Sequence, residues 1–412
     1  MSVAALSESA EYEEFCCGRL ADPYPLLDRL REDEPVHWSE PLAGWVLTRH
    51  ADVLAAIFDR RLASDRVAIN MGALPAPERA NYRSLEQHVS NWLGFTDPPK
   101  HARMRQLAAK VFSPALAEQL RPRIVALVEG LLDDIGSTPE ADLVPDLAFP
   151  VPSTVICEIL GIPPSRATDF QDYTGKMVSF VGNVGPTLAK LADGALEGHR
   201  ALDGFFTQCL DERRGQARGD VLTALATVED ESGTLSEDEI LGLCTFLYVA
   251  GHETTVALLA NGARLLMLHA DQAELIRGNP NVLAGAIEEI LRFESPIQLN
   301  TRLATEDVEL NGRQIRAGDT VILHIGAANR DPDRFPDPAR FDVQRTNNRH
   351  LAFGWAAHFC LGAPLARLEA QVAIEGLLER FDLAPTEGDV RWRESMTLRC
   401  PESLPVELSH RT

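Results

Sequence analysis

No two of the seven cysteines stand in CxxC spacing, and the odd count resists complete pairing. A disulfide framework, a zinc ribbon and covalent cofactor attachment through CxxCH are therefore not expected, and a reducing compartment is. Cys157, Cys209 and Cys244 lie in apolar helical stretches and read as small buried side chains. The first twenty residues carry Glu8, Glu11, Glu13 and Glu14 but no apolar run near the roughly 20 residues of a membrane-spanning helix. A soluble, cytoplasmic protein with no membrane partner is expected. Positive charge is scarce: 39 Lys and Arg face 61 Asp and Glu, for a net charge of −22. Such a surface repels phosphate backbones, which argues against nucleic acid as a partner. There is no fixed-period repeat, low-complexity tract or linker. Ser137 to Leu143 and Glu212 to Asp220 read only as short loops, so residues 1–412 are expected to form one domain.

Helical periodicity dominates what is present. Amphipathic runs cover Ala115 to Ile135, Ser236 to His269, Val282 to Phe293 and Pro364 to Phe381. Strand signals are fewer: Trp45 to Thr48, Thr320 to Ile325, and Ser395 to Arg399 paired with Leu404 to Leu408 around Pro401. Val308-Glu309-Leu310 and Arg313-Gln314-Ile315 flank Asn311-Gly312, a pair suited to the positive φ of a type I′ hairpin turn. The expected fold is mainly α with a small β region.

Two segments carry chemistry. The first is the loop Phe353-Gly354-Trp355-Ala356-Ala357-His358-Phe359-Cys360-Leu361-Gly362, after which Leu361, Leu365, Leu368 and Val372 recur at helical spacing. Cys360 thus falls at a helix N-terminus, where free N–H groups and the dipole lower a thiol pKa. Glycines let the backbone approach a flat macrocycle closely, and His358 is a donor placed to reach a carboxylate. Cys360 is read as the thiolate ligand of a haem iron, a strong electron donor that favours O–O cleavage.

The second is Phe246-Leu247-Tyr248-Val249-Ala250-Gly251-His252-Glu253-Thr254-Thr255, inside a long apolar helix. The Thr254 hydroxyl can bond back to the Ala250 carbonyl, bending the helix. The small Ala250 and Gly251 then leave room for a diatomic molecule and a water. Reducing O2 consumes two protons, which Glu253 could relay from solvent and Thr254 could pass on.

The cysteine loop resembles the signature Phe-Gly-x-Gly-x-His-x-Cys-x-Gly of the cytochrome P450 superfamily, with Ala356 in place of the second glycine, a strained choice if that position needs positive φ. The helical segment resembles the same family's Ala-Gly-x-[Asp/Glu]-Thr-Thr motif without departure. The motifs occur in the family's order from Asp97 to Gly362. The resemblance implies that haem b lies between the long helix and the cysteine-loop helix, with O2 as co-substrate. It also implies haem contacts from His101, Arg105, Ala250, Arg302, Phe353, His358 and Gly362. His101 and Arg105 share the face of a helix that Asp97 is expected to cap, with Pro98 at its first position.

Glu289 and Arg292, with Arg340 in the later Pro338-Ala339-Arg340-Phe341 segment, match the family's Glu-x-x-Arg pair and its later Arg-containing partner segment and are assigned to folding. Glu118/Arg121, Glu197/Arg200 and Glu274/Arg277 have the same spacing and read as solvated pairs. By resemblance the substrate pocket is formed by Trp92, Leu93, Phe246, Val249, Ile297, Gln298, Asn300 and Pro401. A mainly apolar pocket favours a lipid, terpenoid, steroid or macrocycle.

The expected activity is that of a soluble bacterial monooxygenase. It inserts one atom of O2 into such a substrate. Electrons come from a separate ferredoxin and ferredoxin reductase, because the chain carries no flavin or iron–sulfur motif. The enzyme is expected to be a monomer. Arg103, Lys110, Arg345, Arg349 and Arg367 are expected to form a basic docking island. The competing readings are a haem-thiolate enzyme that uses or isomerises peroxide, which would not need Glu253 and Thr254, and a non-catalytic haem protein.

Overall fold

Helices and strands segregate along the chain much as the periodicity predicts, in a computed structural model that describes residues 9–163, 166–183, 188–216, 218–231, 233–386 and 390–411. Strands β1 (Val36–Ser39) and β2 (Gly44–Leu47) pair as a hairpin, and β3 (Leu62–Ala63) follows. Next come helices α1 (Arg83–Val89), α2 (Lys100–Val111) and α3 (Pro114–Ile135), strand β4 (Glu140–Asp142), and helices α4 (Pro150–Leu160), α5 (Ala167–Val181), α6 (Leu188–Gly215), α7 (Glu237–Leu268) and α8 (Leu283–Phe293). Strands β5 (Leu299–Ala304), β6 (Val308–Leu310), β7 (Arg313–Ile315) and β8 (Thr320–His324) precede α9 (Ala363–Arg380), β9 (Phe381–Pro385) and β10 (Pro405–His410). The larger sheet runs β1-β2-β8-β5-β3, with only β2 and β8 parallel.

Local chemistry explains the element ends. Ser236 and Glu239 exchange side-chain and backbone hydrogen bonds in a capping box that starts α7. Asn311 and Gly312 take φ of 48° and 74°, the two positive values a type I′ turn requires. Asp97 is not the N-cap of α2. Residues before proline avoid the helical region, so the helix begins only at Lys100 after Pro98-Pro99. The Asp97 carboxylate instead accepts the backbone N–H groups of Ser64 and Asp65 at 3.2 and 2.8 Å.

The expected pairing of Ser395–Arg399 with Leu404–Leu408 does not form. Strand β10 pairs with β9 and β4, and Leu398 makes only an isolated bridge to Ile297. Ser395 turns its hydroxyl onto the Leu398 N–H, a local bond that competes with a ladder.

Helix α7 is long and apolar enough to cross a bilayer, yet 78% of its most apolar window is buried inside the protein. It is the central core helix, packed on α4, α8 and α9. Gly262 makes the close approach: a β-carbon there would stand 3.2 Å from Ile290 of α8 and 3.4 Å from Ile374 of α9.

Candidate active site

Cys360 lies two residues before the N-cap of α9, Gly362, and its own N–H is anchored on the Phe353 carbonyl at 2.8 Å. Backbone N–H groups of Gly362 and Ala363 reach the sulfur. Burial nevertheless outweighs them, together with Arg105 and Arg367, and raises the thiol pKa. The lowered pKa expected of a helix N-terminus is therefore corrected: desolvation is the larger effect in this loop. Ala356 does take positive φ, 54°, beside Gly354 at 67°. A β-carbon at Gly362 would stand 4.0 Å from the Cys360 sulfur, an ordinary van der Waals contact.

Cations gather next to this loop. The rings of His358 and His101 lie 4.1 Å apart, and Ser64 hydrogen-bonds His358 at 3.1 Å. Burial and then His101, Arg302, Arg105 and Arg66 push the His358 imidazole down to about 3. Burial and Arg105 also lower His101. Arg105 reaches the Phe359 carbonyl at 2.6 Å, and Arg302 the Thr301 carbonyl at 2.9 Å. Burial takes Arg302 down to about 10, against a weaker opposing pull from Asp97.

Arg66 belongs to this group, and no periodicity marks it in the sequence. Its guanidinium lies 3.9 Å over Phe95 and donates to Asn300 at 3.3 Å, and burial with Arg302 lowers it to about 9. The Arg66 Nε and the His101 Nε2 have no hydrogen-bond partner among the described residues. Three guanidiniums and two imidazoles thus converge with Asp97 as the neighbouring carboxylate. Buried donors in such excess fit two further carboxylates, which is what the edge of a haem presents.

On α7 the residues between Glu239 and Ala263 that are not fully buried are Phe246, Ala250, Gly251 and Thr254. Spacings of four, five and eight put them on one face. The Thr254 hydroxyl donates to the Ala250 carbonyl at 2.7 Å, as expected, and the helix runs on through it. Glu253 accepts from Arg393 at 2.6 Å, and its other oxygen lies 3.7 Å from the fully buried His252. Glu253 also lines a surface cleft of about 480 Å³ with Arg393, Lys176 and Lys190. Neither Arg393 nor the cleft was foreseen from sequence.

The expected pocket residues divide. Trp92 and Leu93 are buried, Trp92 lying 5.7 Å from the half-buried Phe246. Val249 is buried and Ile297 half-buried. Asn300 is half-buried with Arg66 on its carbonyl oxygen. Gln298 does not fit a pocket role. Its amide donates to the Ser295 carbonyl at 2.7 Å and packs directly on Gly326, where a β-carbon would displace it. Pro401 is buried and bridges Trp392.

Glu289 and Arg292 form a fully buried bidentate pair with both bonds at 2.8 Å. The second arginine on Glu289 is Arg345, at 3.1 Å, not Arg340. The Arg340 side chain is exposed, and only its carbonyl enters the cluster, accepting from Arg292 and Arg345. Arg345 is therefore withdrawn from the docking island too. Arg103 and Arg367 are partly exposed but paired with Glu239 and Glu288. Among the expected solvated pairs, Glu118/Arg121 and Glu274/Arg277 form, whereas Glu197 pairs with Lys176.

A family model described as cytochrome P450 matches residues 277–404. The monooxygenase PikC of Streptomyces venezuelae is 39% identical, over 94% of this chain and 91% of its own. Vitamin D(3) 25-hydroxylase of Pseudonocardia autotrophica is 36% identical over 95% of both chains. The chain belongs to the cytochrome P450 family. Among solved structures, cytochrome P450BioI in complex with a hexadec-9Z-enoic acid ligated acyl carrier protein superposes with a TM-score of 0.86 at 32% identity, over 94% of this chain and 99% of that one. The mainly α architecture with small sheets is thus the cytochrome P450 fold. The chain is accordingly a haem-thiolate monooxygenase with O2 as co-substrate.

Proposed function

We propose that Cys360 would ligate the haem iron, and that Arg66, His101, Arg105, Arg302 and His358 would hold the haem carboxylates. In this reading Phe353 and Gly362 flank the cysteine side and Ala250 the opposite face. Bound haem supplies the iron at which O2 is reduced and split, and coordination takes the Cys360 sulfur as its thiolate despite the burial that otherwise raises it. Thr254, fixed on the Ala250 carbonyl, presents its hydroxyl on the open face of α7. Glu253 carries protons from the cleft toward that hydroxyl, with Arg393 fixing its carboxylate by a hydrogen bond. The observation that carries this reading is the half-buried stripe Phe246, Ala250, Gly251 and Thr254 with Glu253 at its solvent side.

The substrate proposed is a bulky apolar molecule of the macrocycle, steroid or lipid kind. Relatives named for a macrolide lactone and for vitamin D(3), such as 6-deoxyerythronolide B hydroxylase, support it. Trp92, Leu93, Phe246, Val249 and Ile297 would form its apolar walls and Asn300 its polar contact. Electrons are proposed to arrive from a ferredoxin and its reductase, docking near Lys110 and Arg349 with Arg103 and Arg367 beside them. One contiguous core cluster from Val67 to Leu408 supports a single domain. Seven free cysteines support a cytoplasmic location. A monomer is proposed.

The test is Thr254→Ala in the haem-loaded enzyme. Reductant consumption should continue while product falls and hydrogen peroxide appears. Unchanged coupling of reductant to product would overturn the assignment.

A further inference from the structure

Helices α1 and α6 meet at two histidines that the haem site does not use. His88 lies in the last turn of α1, while His199 and Asp203 stand one turn apart on one face of α6. The two imidazole rings are 4.5 Å apart, and His88 Nδ1 lies 3.3 Å from an Asp203 carboxylate oxygen. One ligand atom from each of the three side chains lies within 4.8 Å of the others.

Both imidazoles are only 4% exposed, and His88 Nε2 and His199 Nδ1 have no hydrogen-bond partner among the described residues. The stranded His88 Nε2 lies across its ring from the Nδ1 that faces Asp203, so what calls for a ligand is the convergence of one donor atom from each of three side chains, with the deeply buried His199 Nδ1 unsatisfied beside them. Tetrahedral zinc, with bonds of about 2.0–2.1 Å, sets its donor atoms about 3.3 Å apart, the separation His88 and Asp203 already have. Two imidazoles and one carboxylate suit zinc and its divalent transition-metal neighbours; calcium and magnesium prefer oxygen donors alone. The Asp203 side chain is 37% exposed, which lets water supply a fourth ligand.

We propose that His88, His199 and Asp203 form a site for a divalent transition metal that ties α1 to α6. The tie matters because α1 runs through Ser90 and Asn91 into Trp92, which packs on Phe246. A metal at this point stiffens one wall of the proposed substrate pocket from outside. The metal site itself does not depend on that pocket assignment.

The test uses the untagged, haem-loaded protein, stripped with EDTA and dialysed against micromolar zinc chloride. Wild type should retain one zinc per chain, and Asp203→Asn and His199→Gln should each bind it roughly tenfold or more weakly at undiminished haem content. Amide exchange over residues 83–93 should slow when zinc is added to wild type. The proposal is overturned if wild type retains no zinc, or if the variants retain as much as wild type. Should His199→Gln fail to fold, the half-exposed Asp203→Asn and the wild-type stoichiometry decide alone.

Discussion

Arg393 holds the Glu253 carboxylate at 2.6 Å, at the floor of the cleft that Glu253 shares with Lys176 and Lys190. The carboxylate next to Thr254 is thus one bond from an arginine and lines a surface cleft. An amide at this position keeps the shape but cannot release and recapture a proton. Glu253→Gln should lower turnover roughly 10²-fold with haem content unchanged, the scale of a lost acid–base group. Rates in H2O and D2O check it: the variant should show the larger solvent isotope effect.

The Glu289 carboxylate serves Arg292 and Arg345, whereas Arg340 contributes a carbonyl. Arg292→Ala would leave a buried carboxylate short of its bidentate partner and should cost about 3–5 kcal/mol. Arg345→Ala should cost about 1.5–3 kcal/mol, the worth of charged hydrogen bonds, and Arg340→Ala less than about 0.5 kcal/mol. Thermal or urea unfolding of the three variants tests this ranking.

Ala356 sits at φ 54° in the cysteine loop. The left-handed region costs a residue with a β-carbon about 1–2 kcal/mol, and glycine gives back about 0.5–1 kcal/mol through its freer unfolded chain. Ala356→Gly should therefore stabilise the protein by about 0.5–1 kcal/mol. A rise in melting temperature at unchanged haem spectrum is the expected result.

Glu369, on α9, is 2% exposed, and its Oε2 has no partner. Burial raises its pKa from the ordinary 4.5 to about 8. Between those values the native state keeps a proton that the unfolded chain has released, so folding stability falls as pH rises. Glu369→Gln, always neutral, escapes this loss. Its stability relative to wild type should climb between about pH 5 and pH 8, measured by urea unfolding across that range.

Sequence was most informative where one local rule sufficed. The Asn311-Gly312 turn, the Thr254 back-bond and the four long helical runs read from periodicity follow from spacing and residue type, and all are in the structure. It was least informative where tertiary contact decides. Arg66 follows a two-residue strand with no periodic signal, and reaches the haem-side cations only because the fold brings it beside Arg302 and Asn300. Arg340 and Arg345 are near neighbours in the chain, and nothing local distinguishes the exposed one from the buried one. Gln298 is an amide between residues expected to line a pocket, but in the structure it packs against Gly326. Strand β9 was hidden because Phe381 reads equally well as the last residue of a helix.

Everything in the account depends on the Cys360 sulfur. The direct test is the absorption spectrum of the haem-loaded protein, reduced with dithionite and exposed to carbon monoxide. The account predicts the strongly red-shifted Soret band of sulfur ligation, lost in Cys360→His while haem is retained. A wild-type carbon monoxide complex with an unshifted Soret band, or a shifted band that survives removal of Cys360, would contradict it.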